Sequence, residues 1–265
     1  MDLYLDNLEL VAPYLFVVVG LVVGSFLNVV VYRIPAGLSV VSPPSACPNC
    51  GTQIKPYDNL PVVSWLILRG KCRSCQSAIS ARYPLVEAAN AALFLGVYLV
   101  IGSDWTVFAY VWFAGVTLVL GLIDFDTKRI PHRILFPGAF IGALLLGAGA
   151  LAEGEMASYG RSWLAALAYF SGFLILALIV PAGFGMGDVK LAFFLGMFAG
   201  YVSWAVLVVA VFGAVFIGGG VSILLLITRR VSRKDAIPFG PSMVVGAWVA
   251  IAFGNEIARS YLGLG

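Results

Sequence analysis

The sequence predicts an all-α polytopic membrane protein of about eight transmembrane helices, with a small zinc-stapled cytoplasmic insert. Three observations lead there. Of its 265 residues, 61% are hydrophobic and only 11% charged, with a mean hydropathy of +1.00; such a balance belongs to chains solvated by lipid, not to soluble domains. Apolar runs long enough to cross a bilayer recur along the whole chain, and in lipid they must be helices that satisfy their own backbone groups. Only between Arg33 and Arg82 does the composition shift at length, to Pro, Cys, Asn, Ser and the basic residues Arg33, Lys55, Arg69, Lys71, Arg73 and Arg82. The formal charge of +3 is no argument for nucleic acid, and none is expected as a partner.

Taken in order, residues 1–9 hold Asp2, Asp6 and Glu9 and no basic side chain. A secretory signal needs a positive start, so the run from Val11 to Tyr32 reads as a retained span. Further spans are expected over Leu85–Ile101, Trp105–Ile123, Ile134–Ala152 and Trp163–Ala182. The apolar region from Val189 to Thr228 is about twice what a bilayer of ~30 Å requires at 1.5 Å per residue. It divides at Gly200-Tyr201-Val202-Ser203 into two spans, and a last span covers Ile237–Ile257. The domains expected are therefore a first span over 1–32, a four-cysteine zinc-binding insert over 33–83 and a transmembrane core of about seven spans over 84–265.

Eight spans put both termini on one side. With the acidic N-terminus outside, fourteen of the sixteen basic residues fall inside, leaving only Arg161 and Arg259 out; the positive-inside rule favours that orientation. Gly218, Gly219 and Gly220 read as close-packing positions between helices.

All four cysteines lie in the insert, as Cys47-Pro48-Asn49-Cys50 and Cys72-Arg73-Ser74-Cys75. Two CxxC pairs about twenty residues apart have the spacing of a four-thiolate zinc site, with Gly51 and Gly70 supplying turns beside them. Disulfides fit poorly with a reducing cytoplasmic face, and a redox centre needs one such pair, not two. Four protein sulfurs close the coordination shell, so the zinc is structural, holding together an insert too small to be stable unaided.

Among the thirteen acids, Asp2, Asp6, Glu9, Asp104, Glu153, Glu155 and Glu256 fall in outer loops or termini and read as solvated; Asp58 and Asp235 lie in cytoplasmic loops. Glu87, a turn into the second span, reads as a helix-end carboxylate bonded to a neighbour. Asp124, Asp126 and Asp188 remain, all at the cytoplasmic ends of spans. Asp188 closes the glycine-rich stretch Gly183-Phe184-Gly185-Met186-Gly187, and Gly185 and Gly187 leave backbone bare for an extended peptide. Ionisable groups in such surroundings are expensive and point to function. Two neighbouring carboxylates share a proton, the chemistry of aspartic peptidases; Asp124, deeper than Asp126, is the favoured partner of Asp188. Helix capping and ion pairing are the plainer account of the same residues, and spacing alone does not displace them. The single histidine, His132, reads as an interfacial residue and Lys190 as a snorkelling charge. No HExxH, Gly-x-Ser-x-Gly or P-loop occurs.

Taken together, several stretches resemble one family across nearly the whole chain: Gly24-Ser-Phe-Leu-Asn-Val-Val-Val-Tyr-Arg-Ile-Pro35, Cys47-Pro-Asn-Cys50, Asp58-Asn-Leu-Pro61 with Ser64-Trp-Leu66, and Cys72-Arg-Ser-Cys75. Arg82-Tyr-Pro84 with Glu87, Asp124 ahead of Ile130-Pro131, Gly185-Met-Gly-Asp188-Val-Lys190 and Pro238-Phe-Gly-Pro241 continue the pattern. The chain resembles the type IV prepilin peptidases, bifunctional leader peptidases and N-methyltransferases of the GxGD class of intramembrane aspartic proteases. The resemblance implies that Asp124 and Asp188 are the catalytic pair, that the short basic leader of prepilins and pseudopilins is removed after a glycine at the cytoplasmic face of the inner membrane, and that S-adenosylmethionine methylates the new N-terminus. It implies lipid and a pilus or type II secretion machinery as partners, and no methyl-donor residue follows from it. Asp58, Asp126 and Glu87 are candidates for reading the basic leader. The competing expectations are a proton-coupled transporter using Asp124 and Asp188 as relay carboxylates, and a scaffold without catalysis.

Overall fold

The computed structural model describes residues 2–180, 185–229 and 237–263, with side chains of the first helix described from Leu10 onward. Among these residues the chain is helical, with two isolated antiparallel bridges, Ala46 with Gln53 and Lys71 with Ala78. The helices are α1 (Asp2–Arg33), α2 (Val63–Ile67), α3 (Arg82–Ile101), α4 (Val107–Thr127), α5 (His132–Glu153), α6 (Met156–Ile179), α7 (Met186–Val202), α8 (Trp204–Ile227) and α9 (Gly240–Leu262). Seven are long and apolar enough to cross a membrane. The eighth long helix, α7, has 17 residues, or about 26 Å at 1.5 Å per residue. The chain is a multi-pass membrane protein. The long apolar region divides at Ser203, whose extended backbone ends α7 and caps α8, its hydroxyl accepting from the Val206 N–H at 3.1 Å.

Two compact units are present, Met1–Ser103 and Asp104–Gly265. In the first, α1 lies along α3 because Gly20 and Gly24 remove the side chains between them. A Cβ on Gly20 would stand 2.7 Å from the Ala91 Cα, and one on Gly24 2.8 Å from the Glu87 Cα. Small residues four apart allow this backbone approach in lipid, and amides seal it: Asn90 Nδ2 donates to the Gly20 carbonyl at 2.7 Å and Asn28 Nδ2 to that of Tyr83 at 3.1 Å. Packing places α1 and α3 in one unit.

In the second unit α4 is the central helix, with Ala109, Phe113, Ala114, Thr117 and Leu120 fully buried. The Tyr110 hydroxyl donates to the Phe198 carbonyl of α7 at 2.9 Å, and the rings of Phe113 and Phe198 stack 4.2 Å apart. Trp248 of α9 joins them, 5.1 Å from Phe113 and donating from Nε1 to Thr117 Oγ1 at 3.1 Å. These contacts fix α4, α7 and α9 against one another. α7 also lies against α6, where a Cβ on Gly200 would run into that of Ala165.

At this C-terminal end of α7, Arg161 of α6 donates to the carbonyls of Gly200, Tyr201 and Val202, satisfying the acceptors a helix C-terminus leaves open. Glu153 accepts from the Thr106 N–H at 2.8 Å, and Glu155 accepts from the Ser158 hydroxyl at 3.0 Å. These two acids, expected only as solvated loop charges, serve as helix-end acceptors.

Candidate active site and metal centre

Asp124 sits in the last turn of α4 and is buried. The helix ends at Lys128, whose left-handed backbone returns its N–H to the Asp124 carbonyl at 2.8 Å. The Asp124 side chain is engaged elsewhere: Oδ2 accepts the Gly240 N–H at 3.0 Å. Gly240 is the first residue of α9, followed by Pro241, so its N–H is one of the donors that a helix start leaves without an internal partner. The fit is close. A Cβ on residue 240 would stand 2.6 Å from Asp124 Oδ2, a distance only glycine permits.

Asp188 is the third residue of α7 and is half-buried. Its Oδ2 accepts the Gly185 N–H at 3.0 Å while its own N–H returns to the Gly185 carbonyl at 3.0 Å, so it also caps its helix. The start of α7 rests on the loop leaving α4, where Gly187 packs against Ile130: a Cβ there would come 3.2 Å from that of Ile130. Gly185 is different. It is exposed, and among the described residues a Cβ on it would meet only the Asp188 carboxylate and the Gly187 nitrogen. Gly183 and Phe184 lie outside the described residues. Lys190 turns to the start of α5, its Nζ 3.5 Å from His132 Nε2 and 5.7 Å from the centre of the Phe136 ring.

Asp126 is exposed, two residues along α4 from Asp124 and so on another side of the helix. Two other acids considered for the leader are already engaged. Glu87 is buried and accepts the Val62 N–H at 2.7 Å. Asp58 receives the Arg73 guanidinium, with the shortest of its bonds at 2.6 Å, and that hydrogen bonding holds its carboxyl below the usual range.

The four cysteines of the first unit come together. Their sulfurs all lie within 4.8 Å of one another, and those of Cys47 and Cys75 are 3.8 Å apart. A zinc ion with four sulfurs at about 2.3 Å has tetrahedral edges of about 3.8 Å, so the cluster fits that ion. The two halves are built alike. The Gly51 N–H bonds to the Cys47 carbonyl and the Cys47 N–H to that of Thr52; the Gln76 N–H bonds to the Cys72 carbonyl and the Cys72 N–H to that of Ser77. Each turn closes on a residue of positive φ, Gly51 at +70° and Gln76 at +59°. The Ser77 hydroxyl, 3.1 Å from the Cys75 sulfur, leads the hydrogen bonds that push this thiol down to about 6. Backbone bonding at Cys50 and Asn49 lowers that of Cys47. Both shifts favour the thiolate that a metal takes.

No site for an adenosyl methyl donor is assigned. The apolar groove of about 330 Å³ lined by Leu10, Pro13, Tyr14, Val17 and Leu95 offers nothing for a sulfonium, an amino acid or an adenine, and no residue is given to that cofactor.

Two family profiles cover most of the chain: the bacterial peptidase A24 N-terminal domain matches residues 18–101, and the type IV leader peptidase family matches residues 109–223. Proteins named prepilin leader peptidase/N-methyltransferase are similar over nearly their full length. That of Pseudomonas aeruginosa is 34% identical over 283 residues, spanning 98% of this chain and 96% of the relative. That of Bacillus subtilis is 32% identical over 92% and 95%, and that of Neisseria gonorrhoeae 29% identical over 97% and 96%. No solved structure matches the chain.

Proposed function

Because the chain belongs to the type IV leader peptidase family, we propose that it is an intramembrane aspartic endopeptidase that removes the short basic leader of type IV prepilins or pseudopilins and N-methylates the new N-terminus. The observation that carries the catalytic reading is that the start of α7, which bears Asp188, packs through Gly187 on Ile130 just beyond the end of α4, which bears Asp124, with each carboxylate held by a backbone N–H. Two such carboxylates share one proton. The ionised one takes a proton from water as the water oxygen bonds to the scissile carbonyl carbon. The protonated one gives its proton to the carbonyl oxygen, and collapse breaks the C–N bond as a proton passes to the leaving amine. Gly240 and Gly185 hold Oδ2 of each carboxylate, which favours the two Oδ1 atoms for these steps. The exposed backbone at Gly185, supported by Gly187, is where the substrate chain lies.

Cys47, Cys50, Cys72 and Cys75 hold a structural zinc, whose four thiolates leave no open position for chemistry. S-adenosylmethionine is the methyl donor. The protein resides in the bacterial inner membrane with its active site facing the cytoplasm and both termini outside, serving a pilus or type II secretion machinery. Nothing favours a transport role, since both acids stand in the end turns of their helices and a relay wants the midplane.

The test is cleavage of a prepilin in detergent by wild type, Asp124→Asn and Asp188→Asn, with labelled methyl donor present. Loss of cleavage in both variants, with folding intact, is expected. Normal cleavage by either overturns the pairing.

A further inference from the structure

The short helix α2 presents a surface that neither the aspartates nor the metal site uses. Val63, Leu66 and Ile67 are 49%, 61% and 70% exposed, and Leu60 just before them is 54% exposed. The spacing of Val63, Leu66 and Ile67 places them in one stripe. The other side of α2 is fixed inward: Ser64 is buried, accepting from the Leu60 N–H and donating to the Tyr57 carbonyl, and Trp65 Nε1 donates to the Ile79 carbonyl at 3.1 Å. The stripe is thus held outward by the rest of the insert.

Two observations say what covers it. The first is depth. The Val62 N–H at the start of α2 bonds to Glu87, five residues along α3 from Arg82, or about 7.5 Å at 1.5 Å per residue. That distance is comparable to the headgroup layer, roughly 5–7 Å on each side of the hydrocarbon. The second is charge. Lys55 precedes the stripe in sequence and Arg69 and Lys71 follow it, all three exposed, while the one acid between Arg33 and Arg82, Asp58, is bound to Arg73. An apolar stripe edged by lysine and arginine, tied to a membrane span near its end, fits an anionic lipid surface.

We propose that α2 is an interfacial anchor: Val63, Leu66 and Ile67 enter the boundary between headgroups and acyl chains, and Lys55, Arg69 and Lys71 meet anionic headgroups. The insert is then held flat on the bilayer at this edge.

The test places one additional tryptophan in the full chain, Ile67→Trp, in nanodiscs of phosphatidylcholine and phosphatidylglycerol. Gln53→Trp on the first cysteine turn serves as the control, and metal content reports that the insert is folded. Relative to wild type, the added emission at 67 should be quenched severalfold more by lipids brominated near the carbonyl end than by aqueous iodide. The order should reverse at 53. Iodide quenching at 67 equal to that at 53 would overturn the proposal. Emission at 67 shielded from both quenchers would also overturn it, since a protein surface such as a bound substrate or second copy would then cover the stripe. Leu66→Trp repeats the measurement if Ile67→Trp loses its metal.

Discussion

The cysteine cluster and the aspartate pair are built in opposite ways. Each half of the cluster closes within a few residues, through the turns Cys47–Thr52 and Cys72–Ser77, and the halves differ little in hydrogen bonding. The pair needs three helices: α4 for Asp124, α7 for Asp188, and α9 for the N–H that holds Asp124 across 116 residues of sequence. A local site survives as long as its turns form. A distributed one depends on every contact that sets helix against helix, such as the Tyr110, Phe113, Phe198 and Trp248 cluster. Chemistry that needs a shared proton tolerates little movement, which makes the distributed site the more sensitive.

The largest effects should fall on the pair itself. Asp124→Asn or Asp188→Asn removes one of the two proposed proton carriers and should lower the cleavage rate by roughly 10²- to 10⁴-fold or more, with metal content unchanged. Steady-state cleavage of a prepilin beside metal analysis of the same samples checks both halves of that expectation. A loss of metal in either variant would break the separation drawn here.

The converse experiment removes the cluster. Cys47→Ser with Cys72→Ser takes away two of four ligands, and structural zinc contributes folding free energy outright. Metal should be lost, and the amides of 47–52 and 72–77 should exchange freely by mass spectrometry. Those of α4 and α7 should keep their protection. Loosening of α4 and α7 to the same degree would show that the two sites do not fold separately.

Much of this was legible in the sequence, for reasons that separate the same two regions. Hydropathy marks spans because lipid demands it, and the break at Ser203 followed from length alone. The cysteine site was legible because its geometry is carried by spacing. Gly240 was not recognised as the residue beside Asp124, although Pro238-Phe-Gly-Pro241 stood out. Pro241 marks a helix start and so an orphan N–H, but nothing local says which acceptor meets it. Arg161 and Glu153 read as outer charges for the same reason: their partners, the end of α7 and the start of α4, are distant in sequence. Glu87 was expected to bond a neighbour, and its partner is Val62.

Gly240→Ala probes the distributed site by geometry alone. The added Cβ would fall 2.6 Å from Asp124 Oδ2, so the carboxylate or the start of α9 must shift by several tenths of an ångström or more. A misplacement approaching 1 Å can cost about 10²-fold in rate. The fall should appear in kcat more than in KM, because the proposed place of the peptide backbone is elsewhere, at Gly185. Unchanged kcat would show that Gly240 does not hold the acid in place.

The smallest expected effect sharpens the likeness between the two cysteine turns. Gly51 and Gln76 occupy equivalent places after the second cysteine of each pair, both at positive φ. Glycine adopts that conformation freely, whereas a residue with a Cβ pays about 1 kcal/mol for it. Gln76→Gly should therefore stabilise the metal-bound insert by up to about 1 kcal/mol, less what the more flexible unfolded chain takes back. Gly51→Gln should destabilise it by about 1 kcal/mol. A chelator competition titration on the full chain reads both as opposite shifts in zinc affinity. If both substitutions shift it the same way, the turns differ in more than this residue, and their equivalence fails.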